Sequence, residues 1–342
     1  MSDIRYNPIE DEYSIISPER LRRPDCHGDG ADSGVGRSSG CPFCEGRESM
    51  TPPEIFAIRE GGEPNGPGWK TRVVPNLYKA VRIEAPWRKL DGGMYDDWEG
   101  FGAHEVVIDT PIHHRRMDGW EIEEYRYWLK ALRSRLKDLT GDIRLVYFSI
   151  FKNHGFYAGA TQEHPHTQMI ALPIVPKKIV HMMDRALQHF LEHGKSHFED
   201  IVCKETKYGK RIVGSSENFI VLAPFSSSFS FETTIVSLEE GVVSLSDLGD
   251  DRIEELSALM KRVFGALYSE LGDFDFNILF NTPPMQKNYA TEHFFDHMKD
   301  IWRFEIKIVP RLFRLGGFEI GSGIHIDPVT PEETARLLSR YL

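Results

Sequence analysis

The chain has 342 residues, 40% of them hydrophobic and 27% charged, and a formal net charge of −11. That size accommodates about two domains, or one duplicated domain, around a sizeable core, and the composition is that of a soluble globular protein. The acidic balance excludes the electrostatic drive behind nucleic-acid and anionic-membrane binding, and no apolar run approaches the roughly 20 residues that span a bilayer.

Residues 1–50 read as an arm. The first 13 are polar and carry no signal-peptide pattern, so a cytoplasmic protein is expected. Residues 12–16 suit a short strand. Residues 17–24 turn and carry Arg20, Arg22 and Arg23. Residues 25–40 are rich in Gly, Ser and Asp and read as a mobile loop that ends at Cys41-Pro42-Phe43-Cys44. Strands are predicted over 54–58, 71–74, 78–83 and 104–109. A helix over 121–139 puts Trp128, Leu129, Leu132, Leu136 and Leu139 near one face. An apolar strand, 143–151, leads through a glycine-rich loop, 153–159, to His164-Pro165-His166-Thr167-Gln168 and a second apolar strand, 169–175.

Beyond Pro176 a helix is predicted over 177–193. Strands at 219–222 and 233–236, a helix over 250–271 and strands at 276–281 and 301–309 follow, with a last helix over 331–342. The two halves, 1–176 and 177–342, read as a duplication. Residues 149–153 parallel 278–282, and aligning Pro173 with Pro310 sets His164 against Ile301, His166 against Arg303 and Gln168 against Glu305. The first copy would carry the chemistry and the second would be scaffold.

Residues two apart on a strand share a face, so His164, His166 and Gln168 point together, away from Pro165 and Thr167. Two imidazoles and a carboxamide make a poor core and a good site for a metal and a phosphate. Among the four cysteines, Cys41 and Cys44 are spaced to hold one ion, and in a large cytosolic chain that spacing favours a metal over a disulfide. His164 is the natural third ligand, with the fourth at His113 or His114. Such a closed Cys2His2 site would hold a structural zinc. His166 then remains for chemistry. An imidazole nitrogen can attack phosphorus and form a phosphoramidate, with its other nitrogen held by a backbone carbonyl. The Gln168 amide can bond a phosphoryl oxygen but cannot donate a proton to a leaving group, which suits transfer between phosphates. Backbone N–H groups of the 153–161 loop can approach the same phosphate.

These residues stand among wider motifs: Cys-Pro-Phe-Cys at 41–44 with Thr51-Pro52-Pro53-Glu54; Arg72-Val73-Val74-Pro75-Asn76; His104-Glu105-Val106 with Thr110-Pro111-Ile112-His113; Asn153-x-Gly155 with Ala158-Gly159-Ala160-Thr161; and Gly317-Phe318-Glu319-Ile320-Gly321-Ser322-Gly323. With the His164–Gln168 strand they resemble, over nearly the whole length, the galactose-1-phosphate uridylyltransferase branch of the histidine-triad superfamily. The resemblance implies an α+β fold made of two histidine-triad-like repeats, with an antiparallel half-barrel sheet and helices packed on it. It also implies a homodimer that works by a ping-pong mechanism through a nucleotidylated histidine. His166 matches the nucleophile and Gln168 its phosphate-binding partner. Cys41, Cys44, His113 and His164 match zinc ligands, which favours His113 over His114. Asn76, Asn153, Gly159 and Thr161 match nucleotide contacts, and Arg20 and Arg23 match phosphate-holding arginines.

Three departures matter. Thr161 stands where a serine is usual. A second metal, common in the second repeat of relatives, is expected to be absent, because Ile301-Trp302-Arg303-Phe304-Glu305 and residues 196–199 lack its ligands. The tail, with Glu319, His325 and Asp327, is expected near the second substrate, and it lacks the tyrosine or glutamine that relatives usually carry near His325. The leading expectation is uridylyl transfer between UDP-glucose and a hexose 1-phosphate. The alternative is adenylyl transfer to phosphate from ADP-glucose or adenylylsulfate. A non-catalytic, zinc-stabilised nucleotide-binding module is the reading from another class, and the presence of both His166 and Gln168 counts against it.

Overall fold

Alternation decides the central strands. From residue 147 to 152 the side chains alternate, with Phe148, Ile150 and Lys152 buried on one face and Tyr147, Ser149 and Phe151 half-buried on the other. In the computed structural model, which describes residues 2–22, 40–90 and 96–342, this stretch lies within β8. The strands in chain order are β1 (Asp3–Asn7), β2 (Glu12–Ile16), β3 (Phe56–Arg59), β4 (Trp69–Pro75), β5 (Lys89–Leu90), β6 (Asp97–Glu99) and β7 (Ala103–Ile108), followed by β8 (Tyr147–His154), β9 (His166–Leu172), β10 (Ile212–Ser215), β11 (Phe219–Leu222), β12 (Thr233–Ser237), β13 (Phe276–Phe280) and β14 (Glu305–Pro310).

Ten strands form one antiparallel sheet in the order β3-β4-β7-β9-β8-β13-β14-β12-β11-β10, and β2-β1-β6-β5 form a smaller one. Each half of the large sheet contributes five strands in the same internal order, and the halves meet at β8 and β13. The two long helices α1 (Ile122–Leu139) and α4 (Asp250–Leu271) also occupy corresponding places, each joining the third and fourth strands of its half. Both bury an apolar face against the sheet. Trp128, Leu132 and Leu136 of α1 and Leu256, Met260 and Phe264 of α4 share one core with Phe148, Ile150, Met169, Ile278, Ile306 and Ile308. Helices α2 (Lys177–His193) and α3 (His197–Tyr208) follow β9. No helix among the described residues is long and apolar enough to cross a membrane.

Two buried charge pairs cross this core. Arg135 of α1 donates to both carboxylate oxygens of Glu105 on β7, at 2.9 and 2.7 Å. Lys152 Nζ lies 2.6 Å from Asp109 Oδ2, with both side chains almost completely buried. Burial pushes the Asp109 carboxyl pKa up, and Lys152, Thr167 and Trp128 pull it back.

The sequence expectations fail where local hydrogen bonds outcompete the sheet. Residues 78–83 form no strand, only a bridge from Arg82 to Phe101, because the Asn76 side chain accepts the Tyr78 N–H and turns the chain. The strand expected from 143 starts at Tyr147, after a turn in which Asp142 accepts the Arg144 N–H. The strand expected from 301 starts at Glu305, since Met298–Ile301 is a helical turn closed by Trp302 N–H on Met298 O. The last helix stops at Leu338. Helix α3 was not foreseen, although Ser196 caps it and Gly209, at φ 73°, ends it. The mobile-loop expectation falls largely on residues 23–39, outside the described residues.

The internal alignment is half right. Pro173 against Pro310 keeps the faces in phase, since Met169 falls on Ile306 and Ala171 on Ile308, all four in the core. Residues 149–153 against 278–282 slip by one, setting buried Ile150 on exposed Leu279.

Lys152→Met should cost about 3–5 kcal/mol of stability, because it strands a buried carboxylate. Adding Asp109→Leu should recover most of the loss. Denaturant midpoints of the two variants check this.

Candidate active site and metal centre

The metal site is assembled from three places in the chain. Cys41 and Cys44 lie on a turn before β3, His113 lies five residues past the end of β7, and His164 lies just before β9. Their donor atoms all fall within 4.8 Å of one another. His164 Nδ1 is 3.7 Å from each sulfur and 3.3 Å from His113 Nδ1, and Cys44 Sγ is 3.3 Å from His113 Nδ1. Metal–donor bonds of about 2.0–2.3 Å in a tetrahedron space the donors by roughly 3.3–3.8 Å, so these four residues fit a closed four-coordinate ion. His164 Nε2 donates to Thr110 O at 2.8 Å, which leaves the Nδ1 lone pair for the ion. His114 is not in this group; it clusters with His113 and Glu163. Burial pushes the Cys41 thiol up to about 11 and the His164 imidazole down to about 3. A bound dication reverses the first effect by holding the thiolate.

His166 begins β9 and is nearly buried. Its Nδ1 lies 2.8 Å from His164 O. A carbonyl accepts only, so Nδ1 carries the proton and Nε2 has the lone pair in the neutral ring. Phe43, between the two cysteines, packs its ring 5.7 Å from the His166 ring and 6.1 Å from the His164 ring. The turn that carries the two cysteines therefore also walls the His166 ring. Gln168 lies two residues on and accepts from His104, whose Nε2 is 3.1 Å from Gln168 Oε1.

The other expected residues divide into two groups. Asn76 enters the same network, with Nδ2 3.0 Å from His104 Nε2. Arg20 Nη1 donates to Tyr78 O at 2.8 Å, two residues from Asn76. Asn153, at the end of β8, accepts from Asn277 of β13 at 2.9 Å, so the second half holds it in place. Asn277 also donates to Ala158 O, anchoring the loop that carries Gly159, at φ 79°, and Thr161. Gly155 in that loop admits no side chain, since a Cβ would lie 1.8 Å from Asp275 Oδ1, the carboxylate that also takes the Tyr157 N–H. Arg23 lies outside the described residues.

Glu319 and His325 are not brought to His166 within the chain. Both line a separate small cavity with Ser228, Phe229 and Arg314. Glu319 accepts the Gly316 N–H and caps its own short helix, Gly317–Ser322. His325 Nδ1 is buried without a partner, and Asp327 accepts from Ser230. Sequence reasoning quoted His104 without a role and did not use Lys152. The available signal was parity: each is a polar residue on a face shared with apolar ones.

The chain is similar to known proteins over nearly its whole length. A family model described as galactose-1-phosphate uridyl transferase, N-terminal domain, matches residues 1–176. The chain is 31% identical to ADP-glucose phosphorylase of Arabidopsis thaliana, over 98% of this chain and 92% of that one. It is 27% identical to galactose-1-phosphate uridylyltransferase of Thermotoga maritima, over 99% and 98%. It also superposes on the crystal structure of the Arabidopsis thaliana ADP-glucose phosphorylase with bound ADP-glucose, at a TM-score of 0.74 and 28% identity, covering 99% of both chains.

Cys41→Ser and His164→Asn should each lose bound metal and lower the melting temperature, because a closed site contributes folding energy. His166→Ala should keep both. Metal analysis of the purified chain should find about one equivalent, by the four-ligand count.

Proposed function

The chain belongs to the galactose-1-phosphate uridylyltransferase family and is a nucleotidyltransferase; we propose that it works through a covalent nucleotidyl adduct on His166. The observation that carries the proposal is the His166 Nδ1 contact to His164 O, beside the Gln168 amide. In the first step Nε2 attacks the α-phosphorus of a nucleotide sugar. The phosphorus–oxygen bond to the sugar phosphate breaks, and its electron pair leaves with that phosphate. The ring then carries positive charge, which the His164 carbonyl stabilises through Nδ1–H. In the second step a phosphate oxygen of the acceptor attacks the same phosphorus and the nitrogen–phosphorus bond breaks, restoring the lone pair. Both leaving groups are stable without a proton, so the site needs no general acid or base.

The ion at Cys41, Cys44, His113 and His164 would be zinc, given its two thiolates, two imidazoles and closed tetrahedral spacing. It holds the strand and takes no part in the chemistry. Asn76, Asn153, Gly159, Thr161 and Arg20, with Arg23, would contact the nucleotide and its phosphates. The repeat division at 176/177 draws support from the matched strand order of the two sheet halves. The enzyme would be a cytoplasmic homodimer. The arm 312–326 supports the dimer, since it exposes Phe313, Phe318, Ile320, Ile324 and Ile326, and its Glu319 and His325 line a cavity that does not include the chain's own His166. A second copy would bring these two residues to the second substrate.

Uridylyl transfer from UDP-glucose to a hexose 1-phosphate is the leading assignment. One observation favours the second, adenylyl transfer from ADP-glucose to phosphate: the higher identity, 31% across 98% of the chain, to an ADP-glucose phosphorylase. Intact-mass measurement after incubation with UDP-glucose, ADP-glucose or adenylylsulfate distinguishes them. The expected result is a gain of one nucleoside monophosphate from the true donor. His166→Ala should take up none and should turn over below about a hundredth of the wild-type rate. A wild-type chain that gains no mass with any donor would favour the binding-module reading.

A further inference from the structure

A side-chain amide is ambiguous, since one end donates and the other accepts. A phosphoryl oxygen only accepts. Gln168 can help at a phosphate only if its NH2 end faces the ligand, and something must select that end.

The selection runs through the loop 76–80. Ala80 N–H donates to His104 Nδ1 at 3.0 Å. That nitrogen must therefore hold the lone pair, and the proton of the neutral ring sits on Nε2. Two amides face Nε2. Asn76 presents its nitrogen at 3.0 Å, because its oxygen already accepts the Tyr78 N–H at 2.9 Å, so it is a second donor beside Nε2–H and offers that proton no acceptor. Gln168 presents its oxygen at 3.1 Å. The Nε2–H bond thus goes to Gln168 Oε1, and the Gln168 NH2 group is left to face outward. His104 is nearly buried on β7, diagonal to Gln168 across the β7–β9 ladder. A flipped Gln168 would leave the buried His104 Nε2–H with no acceptor at all, which is costly.

We infer that His104 is a positioning residue for the transfer reaction: two backbone N–H groups, at Tyr78 and Ala80, fix the His104 proton on Nε2 and the Asn76 amide, and His104 then holds Gln168 with its donor end toward the phosphate. The site is thereby built of outward donors and selects an acceptor-only group. The inference rests on the reading of Gln168 as the phosphate-binding amide.

Two conservative variants separate the roles of His104. His104→Asn keeps an oxygen within reach of Ala80 N–H but no longer reaches Gln168. His104→Gln keeps an N–H at the Nε2 position. The readout is the single-turnover rate of adduct formation on the full metal-loaded chain, followed by intact mass with the donor that labels wild type. Melting temperature and metal content are recorded alongside. His104→Asn should slow adduct formation roughly tenfold to a hundredfold, as loss of one oriented donor does, and His104→Gln should recover most of the rate. In a Gln168→Ala background, His104→Asn should add less than about a twofold loss, because its effect passes through Gln168. An undiminished rate in His104→Asn, equal losses in the Asn and Gln variants, or a full additional loss in the Gln168→Ala background would each overturn the inference while leaving the adduct chemistry intact. Absence of any adduct on wild type would instead overturn the His166 reading, and this inference with it.

Discussion

The strand that begins at His166 hangs on an ion pair that never meets water. Lys152 of β8 and Asp109 at the end of β7 are almost fully buried, 2.6 Å apart, beneath the point where β9 begins. Placing two charges in a dry interior costs several kcal/mol per ion, and their attraction offsets that cost only with good geometry and further hydrogen bonds. Those bonds converge on β9. Lys152 also donates to His166 O at 3.3 Å, Asp109 N–H donates to Pro165 O at 3.1 Å, and Thr71 donates to Asp109 O at 3.0 Å. The backbone of 165–166 is therefore clamped from below by charge. From the side it is held by His164, bound to the metal knuckle and to Thr110. A nucleophile that must meet phosphorus in line gains from such a clamp, because small misplacements cost rate steeply.

The second half of the sheet shows what the same architecture becomes without that chemistry. In the face-consistent alignment Arg303 falls where His166 stands, and Glu305 where Gln168 stands. Arg303 is buried and spends its guanidinium on the carbonyls of Lys299 and Trp302. Burial raises the Glu305 pKa, and Asn281 holds its carboxyl. A carboxyl in place of an amide would repel a phosphate, and no imidazole is at hand to attack one. This half still acts on the site through Asn277, which bonds both Asn153 and the loop of Gly159. Asn277 of the second half thereby helps set the shape of the 153–161 loop of the first.

Legibility from sequence followed how local the cause was. Helices α2 and α4 and strand β11 were read to their exact ends, because 3.6-residue periodicity and apolar runs are written in adjacent residues. The metal group was legible because its ligand types have few other uses, although spacing alone left His113 and His114 open. Residues 78–83 were misread because their backbone bonds go to side chains, to Asn76 two residues back and to His104, which arrives from β7. The ion pair was missed for a related reason. Lys152 sits at a core-facing parity position between Ile150 and the end of its strand, but its partner is 43 residues away. Only pairing across the sheet explains why a lysine can be there.

In the proposed mechanism these observations let one site serve both half-reactions. The groups around His166 are fixed donors and a fixed lone pair, and no side chain there must change protonation between the two half-reactions. His104 has its tautomer set by backbone, His166 by the His164 carbonyl, and His164 by Thr110. A site whose proton positions are locked treats the incoming and outgoing phosphates alike, since each is an acceptor of the same donors. Discrimination between the two exchange partners must then come from beyond the α-phosphate. The chain's own Glu319 and His325 line a cavity whose lining includes neither His166 nor Gln168. The proposed homodimer resolves that separation. On that proposal, chemistry would be built within one chain by locked hydrogen bonds, and the choice of partner would be left to the surface a second copy supplies.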